Sequence, residues 1–373
     1  MKFLGLFLLA TSVTGRFTDD LYQVLAKSNA NKNLISSPFS VDIALGMTYM
    51  GAGGKTAQEM RDVLKLPADK KEVARKYKQL LTNLEGREKV AILDLANRIY
   101  VNDRFTINPE FNKVVRDSFK AEAEAISVSD PKKAADIINT WVSDQTRSRI
   151  KTVVFEHDTR DMIMVLLNAI YFKGQWKIAF NSTYTQQADF RTADSKIVPV
   201  QMMSLSADFK AGYISQLDAK VIELPYRNST LSMVIYLPEK VDGLPELERK
   251  IAGFSPELKQ QEVILELPKF KIEFSSELQK TIEQMGMREA FSQKADFGGL
   301  VQSSTPSISK VIHKAFIEVN EEGAEAAAVT VAKSVRLIIR PEPLTIIADH
   351  PFAYVIRDNE TIYFQGHFVK PEK

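Results

Sequence analysis

Cysteine is absent from all 373 residues. Its absence excludes a thiol nucleophile, a thiolate metal site and any disulfide framework. It leaves the compartment open, because a chain this long can bury a core without covalent staples. Histidine is scarce: His157, His313, His350 and His367 are the four. They show no HExxH pairing or other local metal spacing, and no serine stands in a GxSxG elbow. A catalytic triad dispersed along the chain would leave no such mark. An excess of one charge is lacking too: 49 Lys plus Arg against 47 Asp plus Glu gives a net +2, so no global field points to nucleic acid or an anionic membrane. Beyond residue 15 no stretch reaches the roughly 18 apolar residues of a membrane span. Neither a metal nor a cofactor is expected. There is no internal repeat, low-complexity tract or Pro/Gly-rich linker, and an apolar content of 45% suits a packed core, so one domain over residues 16–373 is the expected organisation. Gly53-Gly54-Lys55-Thr56 has the end of a phosphate-binding loop, but position 49, where the first glycine belongs, is Tyr49. A helical pattern also precedes it where the motif needs a strand, so a glycine turn between helices is the better reading.

Lys2, the apolar run Phe3 to Ala10 and the small residues up to Gly15 have the pattern of a secretory signal over residues 1–15, with a mature start near Arg16. The plainer reading is the first helix of a cytoplasmic protein. For a secreted, extracellular chain, Asn181, Asn228 and Asn359 head Asn-x-Ser/Thr triplets that are candidate glycosylation points.

The first third reads as helical. Phe17, Leu21, Val24 and Leu25 share a helical face, and Ile43, Met47 and Met50 repeat the spacing before the break at Gly51-Ala52-Gly53-Gly54. Thr56 with Glu59 forms a capping-box pattern for the next helix, which should stop at Pro67. A basic amphipathic helix is expected over 70–84 and another over 134–150. Strands are expected over 90–101, 162–172, 220–224, 231–237 and 263–274. Helices first, then many strands with interspersed helices, predict an α+β fold around large sheets.

Residues 319–351 are ambivalent. The run from Glu321 to Ala332 begins with helix formers and ends in β-branched residues. Read as a strand, it would place Ala324, Ala326, Ala328, Thr330, Ala332 and Ser334 on one face, all small and uncharged, with Glu325 and Lys333 on the other. Such a strand could slide between two existing strands. An exposed Ala-rich helix fits the segment alone equally well.

The surroundings resemble the serpin family along nearly the whole chain. The hinge Val319-Asn320-Glu321-Glu322-Gly323-Ala324-Glu325-Ala326-Ala327-Ala328 is similar to that of inhibitory serpins almost residue for residue. Further matches are Asn33-Leu34-Ile35-Ser36-Ser37-Pro38-Phe39-Ser40, Leu167-Asn168-Ala169-Ile170-Tyr171-Phe172-Lys173-Gly174-Gln175-Trp176, His313-Lys314-Ala315 and His350-Pro351-Phe352. Ala324 departs from the threonine many inhibitory members carry, and is smaller still.

The resemblance implies an α+β serpin fold with three β-sheets, about nine helices and an exposed reactive-centre loop. It implies a monomeric suicide inhibitor and not an enzyme: a serine protease cleaves the loop, the 323–336 segment inserts into the central sheet, and the acyl-enzyme is trapped. Loop insertion in serpins is itself a worked case of strand addition and stored strain. Ser37, Ser40, Asn168 and His313 match the polar cluster beneath the opening, and Trp176 the aromatic at its top near Glu321. Fourteen positions after the hinge glycine places the bait bond at Leu337-Ile338, for a chymotrypsin- or elastase-like target. Counting back from Pro351 by the spacing of longer-loop relatives gives Leu337 as well. Arg336-Leu337 is the rival, and would suit a trypsin-like protease; Arg340 is disfavoured by Pro341. Lys71, Arg75 and Lys78 line the helix where some relatives bind heparin-like glycosaminoglycans, although charge stripes are usually just solvated faces. The other function to weigh is a non-inhibitory serpin acting as carrier or chaperone. Bulky or charged residues on the inserting face would favour that, and alanines stand there instead.

Overall fold

The computed structural model describes residues 15–84, 91–254, 256–302, 306–322 and 342–371. Among them are nine α-helices: α1 Gly15–Ser28, α2 Pro38–Tyr49, α3 Gly54–Leu64, α4 Lys70–Leu84, α5 Pro109–Phe119, α6 Pro131–Gln145, α7 Glu156–Thr159, α8 Leu244–Ile251 and α9 Gln279–Gln284. The strands are β1 Leu34–Ser36, β2 Ala91–Asn102, β3 Thr106–Ile107, β4 Glu122–Ile126, β5 Met164–Gly174, β6 Gln186–Arg191, β7 Ile197–Ile214 and β8 Ala219–Pro225. They continue with β9 Ser232–Pro238, β10 Lys259–Pro268, β11 Phe270–Glu277, β12 Val301–Gln302, β13 Lys310–Val319, β14 Leu344–Ile347, β15 Phe352–Arg357 and β16 Ile362–Phe368. The α+β class expected from the sequence is the one observed.

Local chemistry starts the helices. Ser37, Asn108 and Asp130 accept hydrogen bonds from the amides of Ser40, Glu110 and Lys133, and each is followed by a proline that opens α2, α5 or α6. A side-chain acceptor satisfies an orphan amide there, and proline has no amide to lose. The Thr56–Glu59 capping box does not form. Helix α3 begins at Gly54 with no side-chain cap. Thr56 accepts instead from Asp296 N at 2.9 Å, and the Glu59 carboxylate from the amides of Arg288 and Glu289, both at 2.7 Å. Tertiary donors outcompete the local pattern. The α2 stripe was also too narrow an expectation, since all of its residues are buried. The single strand expected over 263–274 is two, β10 and β11, divided at Pro268 and Lys269.

Three sheets carry the fold, beside a small β3–β12 ladder. One has the order β11-β13-β5-β2-β4. The other two are joined through the long β7: β8 pairs with its residues 210–214, while β10 and β6 pair with 202–211 and 197–202. From β8 the order continues through β9, β15 and β16 to β1, and from β10 to the edge strand β14. The central strands β5 and β13 of the five-stranded sheet are buried on both faces. The back of this sheet packs on the main core with α2, and its front carries a second core under α6 that includes Val165, Leu167, Ala169, Tyr171, Ile312 and Phe316.

Candidate functional site

Strands β5 and β13 lie side by side in the middle of the five-stranded sheet and run parallel, in register from Lys310 opposite Val165 to Ile317 opposite Phe172. Their flanking pairs, β2 with β5 and β11 with β13, are antiparallel. A chain that leaves β13 and reverses would run antiparallel to both strands of this seam. Two antiparallel ladders would then replace one parallel ladder, whose slanted bonds are slightly weaker. The chain does leave β13 at the upper end of the seam, through Asn320, Glu321 and Glu322.

Those three residues are fastened. Trp176 donates from Nε1 to Asn320 O at 2.8 Å and from its backbone amide to Glu322 O at 3.3 Å. Its ring stacks on Tyr226 with centroids 4.8 Å apart. Gly174 makes that possible, because a Cβ there would stand 2.4 Å from the Tyr226 ring. Glu321 accepts from Thr185 Oγ1 at 2.7 Å and pairs with Lys269 at 2.7 Å. Burial alone would raise the Glu321 carboxyl, but the hydrogen bonds from Lys269 and Thr185 outweigh it and hold the group below its ordinary value. Lys173 pairs with Glu322 at 2.6 Å, which raises the lysine. Both pairs are partly exposed, so each contributes about 1 kcal/mol or less. The clasp is a set of weak ties.

Lower down, a polar row crosses the seam. Asn97 on β2 faces Asn168 on β5, which faces His313 on β13. His313 is fully buried, and its Nε2 accepts from Ser37 N at 3.2 Å. The ring proton therefore sits on Nδ1 and is donated to Asn168 Oδ1 at 2.6 Å. Asn168 Nδ2 then donates to Ser40 Oγ and to Asn97 Oδ1, the latter at 2.5 Å. Ser37 Oγ donates to Tyr363 O at 2.6 Å. Each of these named donors meets an acceptor, as buried polar groups require. Burial pushes the His313 imidazole down to about 3, so it is neutral at physiological pH. A strand entering the seam must part His313 from Asn168.

The front cover is tied to both banks of the seam. On the β2 side, Arg98 lies over the Trp141 ring of α6 at 4.3 Å, and Arg147 holds Asp94 at 2.8 Å. On the β13 side, Lys314 donates to Thr152 O at 2.6 Å and Lys310 pairs with Asp158. Opening by one strand spacing of roughly 4.8 Å strains these ties.

Known proteins share the fold that carries this seam. The family model described as Serpin (serine protease inhibitor) matches residues 12–371. The chain belongs to the serpin family. It is 50% identical to serine protease inhibitor 42Dd of Drosophila melanogaster, with 100% of both chains covered. It is 35% identical to the human leukocyte elastase inhibitor, over 97% of this chain and 99% of the relative. Serpin48 of Tenebrio molitor, a solved structure, superposes with a TM-score of 0.87 at 32% identity, covering 96% of this chain and 97% of that one.

The serpin residues expected from sequence are thus partly placed. Ser37, Ser40, Asn168 and His313 come together, and Trp176 reaches the Glu321 segment. Gly323, Ala324, Glu325, Ala326, Ala327 and Ala328, together with Arg336, Leu337 and Ile338, lie outside the described residues, as do residues 1–14. Asn181, Asn228 and Asn359 are exposed, as are Lys71, Arg75 and Lys78, opposite the buried Val73, Tyr77 and Leu81 of α4. Sequence reasoning missed Asn97, Thr185, Lys269 and the pairing of Lys173 with Glu322. Thr185 and Lys269 flank strand ends far from the hinge in sequence, and only the sheet register brings them to Glu321. Lys173 stood inside a matched motif without a partner to give it meaning.

Proposed function

We propose that this serpin inhibits a serine protease as a suicide substrate. The protease attacks a bait bond at Leu337-Ile338, the acyl-enzyme forms, and residues 323–336 enter the seam between β5 and β13 before water releases the enzyme. The observation that carries this reading is the parallel seam itself: two buried strands with a satisfied but separable polar row between them, and a chain leaving β13 at the end where a hairpin would enter. The small, uncharged face from Ala324 to Ser334 fits that slot. About ten added ladder bonds at roughly 1 kcal/mol net each give a driving force on the order of 10 kcal/mol, comparable to the whole stability of a domain. The inhibitors named among its relatives support the same reading, and the alanines weigh against a carrier or chaperone.

The test uses protein recovered from the medium of expressing cells, which under the proposed export should begin near Arg16. Incubated with chymotrypsin, elastase and trypsin in turn, it should give a complex that survives boiling in detergent with at least one of them. The released peptide should begin at Ile338. A peptide beginning at Leu337 would move the bait to Arg336, and intact Met1 on protein confined to the cytosol would end the export proposal. Cleavage without any stable complex would reject suicide inhibition.

A further inference from the structure

The ties that fasten the front cover fall on four successive front-facing rows of the five-stranded sheet. Counted down from the clasp, the rows are Asp94–Tyr171–Phe316, Ala96–Ala169–Lys314, Arg98–Leu167–Ile312 and Tyr100–Val165–Lys310. In the first, Arg147 grips Asp94 of β2, and Arg149 reaches the Tyr171 ring at 6.0 Å. In the second, Thr152 O accepts from Lys314 of β13. Trp141 covers Arg98 of β2 in the third, and Asp158 pairs with Lys310 of β13 in the fourth. The cover is thus laced to the two banks of the seam by turns. It is also one packed unit. Ile138, Val142, Ile150, Val153 and Val154 share a core, and Asn139 of α6 accepts from Val153 N at 2.8 Å and Val154 N at 3.1 Å and donates to Val154 O at 2.8 Å. When β5 and β13 part by one strand spacing of roughly 4.8 Å, such a unit cannot follow both banks.

The tie nearest the clasp is the readiest to give way. The Arg147 side chain is 55% exposed, against 31% for Lys310, 18% for Arg98 and 10% for Lys314, so water competes for it most. Its backbone is strained as well. Arg147 and Ser148 are consecutive left-handed residues, with φ 52° and 60°, a conformation in which the Cβ crowds the following carbonyl oxygen. Thr146 holds this turn shut: its Oγ1 donates to Val142 O at 2.7 Å and accepts from Ile150 N at 3.2 Å. Such strain persists only where the surroundings impose it. Once Arg147 lets go of Asp94, the turn is free to relax.

We propose that Asp94 and Arg147 form the latch that sets how fast the seam opens, with the left-handed turn at Arg147 and Ser148 strained against it. This rests on the inhibitory reading above. Arg147 is a positioning residue: it acts on the seam through the cover and touches neither the bait bond nor the protease. An entering strand parts Tyr171 from Phe316 first. The cover, held to β13 by Lys314, is then drawn off β2, the Asp94–Arg147 pair separates, and the lower ties follow.

The test measures how fast a synthetic peptide of residues 323–336 enters the seam of the full chain, read as the gain in unfolding temperature, and beside it the number of inhibitor molecules consumed per protease. Asp94→Asn and Arg147→Met should each speed entry about fivefold, the size a half-exposed pair can carry. Arg147→Lys, which keeps the charge, should stay within twofold. Ser148→Gly suits a left-handed position; it should raise the unfolding temperature of the free protein, slow entry about fivefold and raise the consumption of inhibitor. Greater stability with poorer inhibition separates a latch from a merely structural contact. Lys310→Met breaks the lowest tie, whose lysine is the less exposed, and should change entry less than twofold. Entry within twofold for both Asp94→Asn and Arg147→Met, or Lys310→Met matching them, would overturn this inference and leave the inhibitory reading intact. If the peptide fails to enter even the unaltered protein, consumption decides, and an unchanged value in Ser148→Gly overturns the latch. Absence of both entry and complex would sink both readings.

Discussion

Replacing Ala324 by arginine is expected to turn the inhibitor into a substrate. Ala324 is the first small residue of the face that would enter the seam, and both strands of the seam are buried almost throughout. A long cation carried between these buried strands loses its water, and an unpaired charge in such a place costs several kcal/mol even after relaxation. The total driving force, on the order of 10 kcal/mol, can survive that loss, but the outcome is decided by a race. Insertion competes with hydrolysis of the acyl-enzyme, and a tenfold change in rate needs only about 1.4 kcal/mol on the barrier. Ala324→Arg should therefore leave folding and loop cleavage unchanged while raising the number of inhibitor molecules consumed per protease about tenfold or more. Glu325→Arg, on the alternate face where a charged residue already stands, should change it far less. Unchanged stoichiometry in Ala324→Arg would remove the inserted-strand reading of residues 324–334.

Acidification is expected to loosen the seam through His313. Its folded-state value of about 3 lies below its ordinary 6.5, and the cause is burial. The unfolded chain therefore takes up a proton that the folded chain refuses, so stability from this group is complete above about pH 6.5 and is lost as pH falls toward 3. Between pH 6.5 and 4 the loss is about 3 kcal/mol. Asp42 works in the opposite direction. Burial raises its carboxyl to about 6, so the folded chain binds a proton first and gains stability as pH falls from 6 toward 3.8. The two are separated by difference. His313→Asn should cost roughly 2–3 kcal/mol at pH 7, because the Ser37 amide and the Asn168 carbonyl lose their buried partner. The same variant should also show a flatter fall in stability between pH 6.5 and 4. Denaturant unfolding at several pH values reads both, and an acid slope that survives the substitution would assign it to other groups.

The residues that sequence alone made legible were those whose neighbours in the chain carry the pattern. The basic helix over 70–84 is α4 to the residue, because Val73, Tyr77 and Leu81 repeat at helical spacing and a turn signal stands at each end. The polar cluster was legible through its matched motifs, yet Asn97 was not: it stands in a strand like any other, and its role comes from lying opposite Asn168 across the β2–β5 ladder. Thr56 and Glu59 misled for the converse reason. Their spacing fits a local cap, but donors from residues 288–296 reach them first. The clasp on Glu321 depends on three segments that meet only after the sheets have formed, and no periodicity in any one of them records it.

Strand insertion as the source of trapping is tested most directly by heat. The loop can be nicked by a metalloprotease, which forms no acyl-enzyme and so leaves the cut chain free, and thermal unfolding of cut and intact protein compared. Insertion of residues 323–336 between β5 and β13, with a driving force on the order of 10 kcal/mol, should raise the unfolding temperature by about 15 °C or more. A cut chain that melts at the same temperature as the intact one, or below it, would contradict the mechanism.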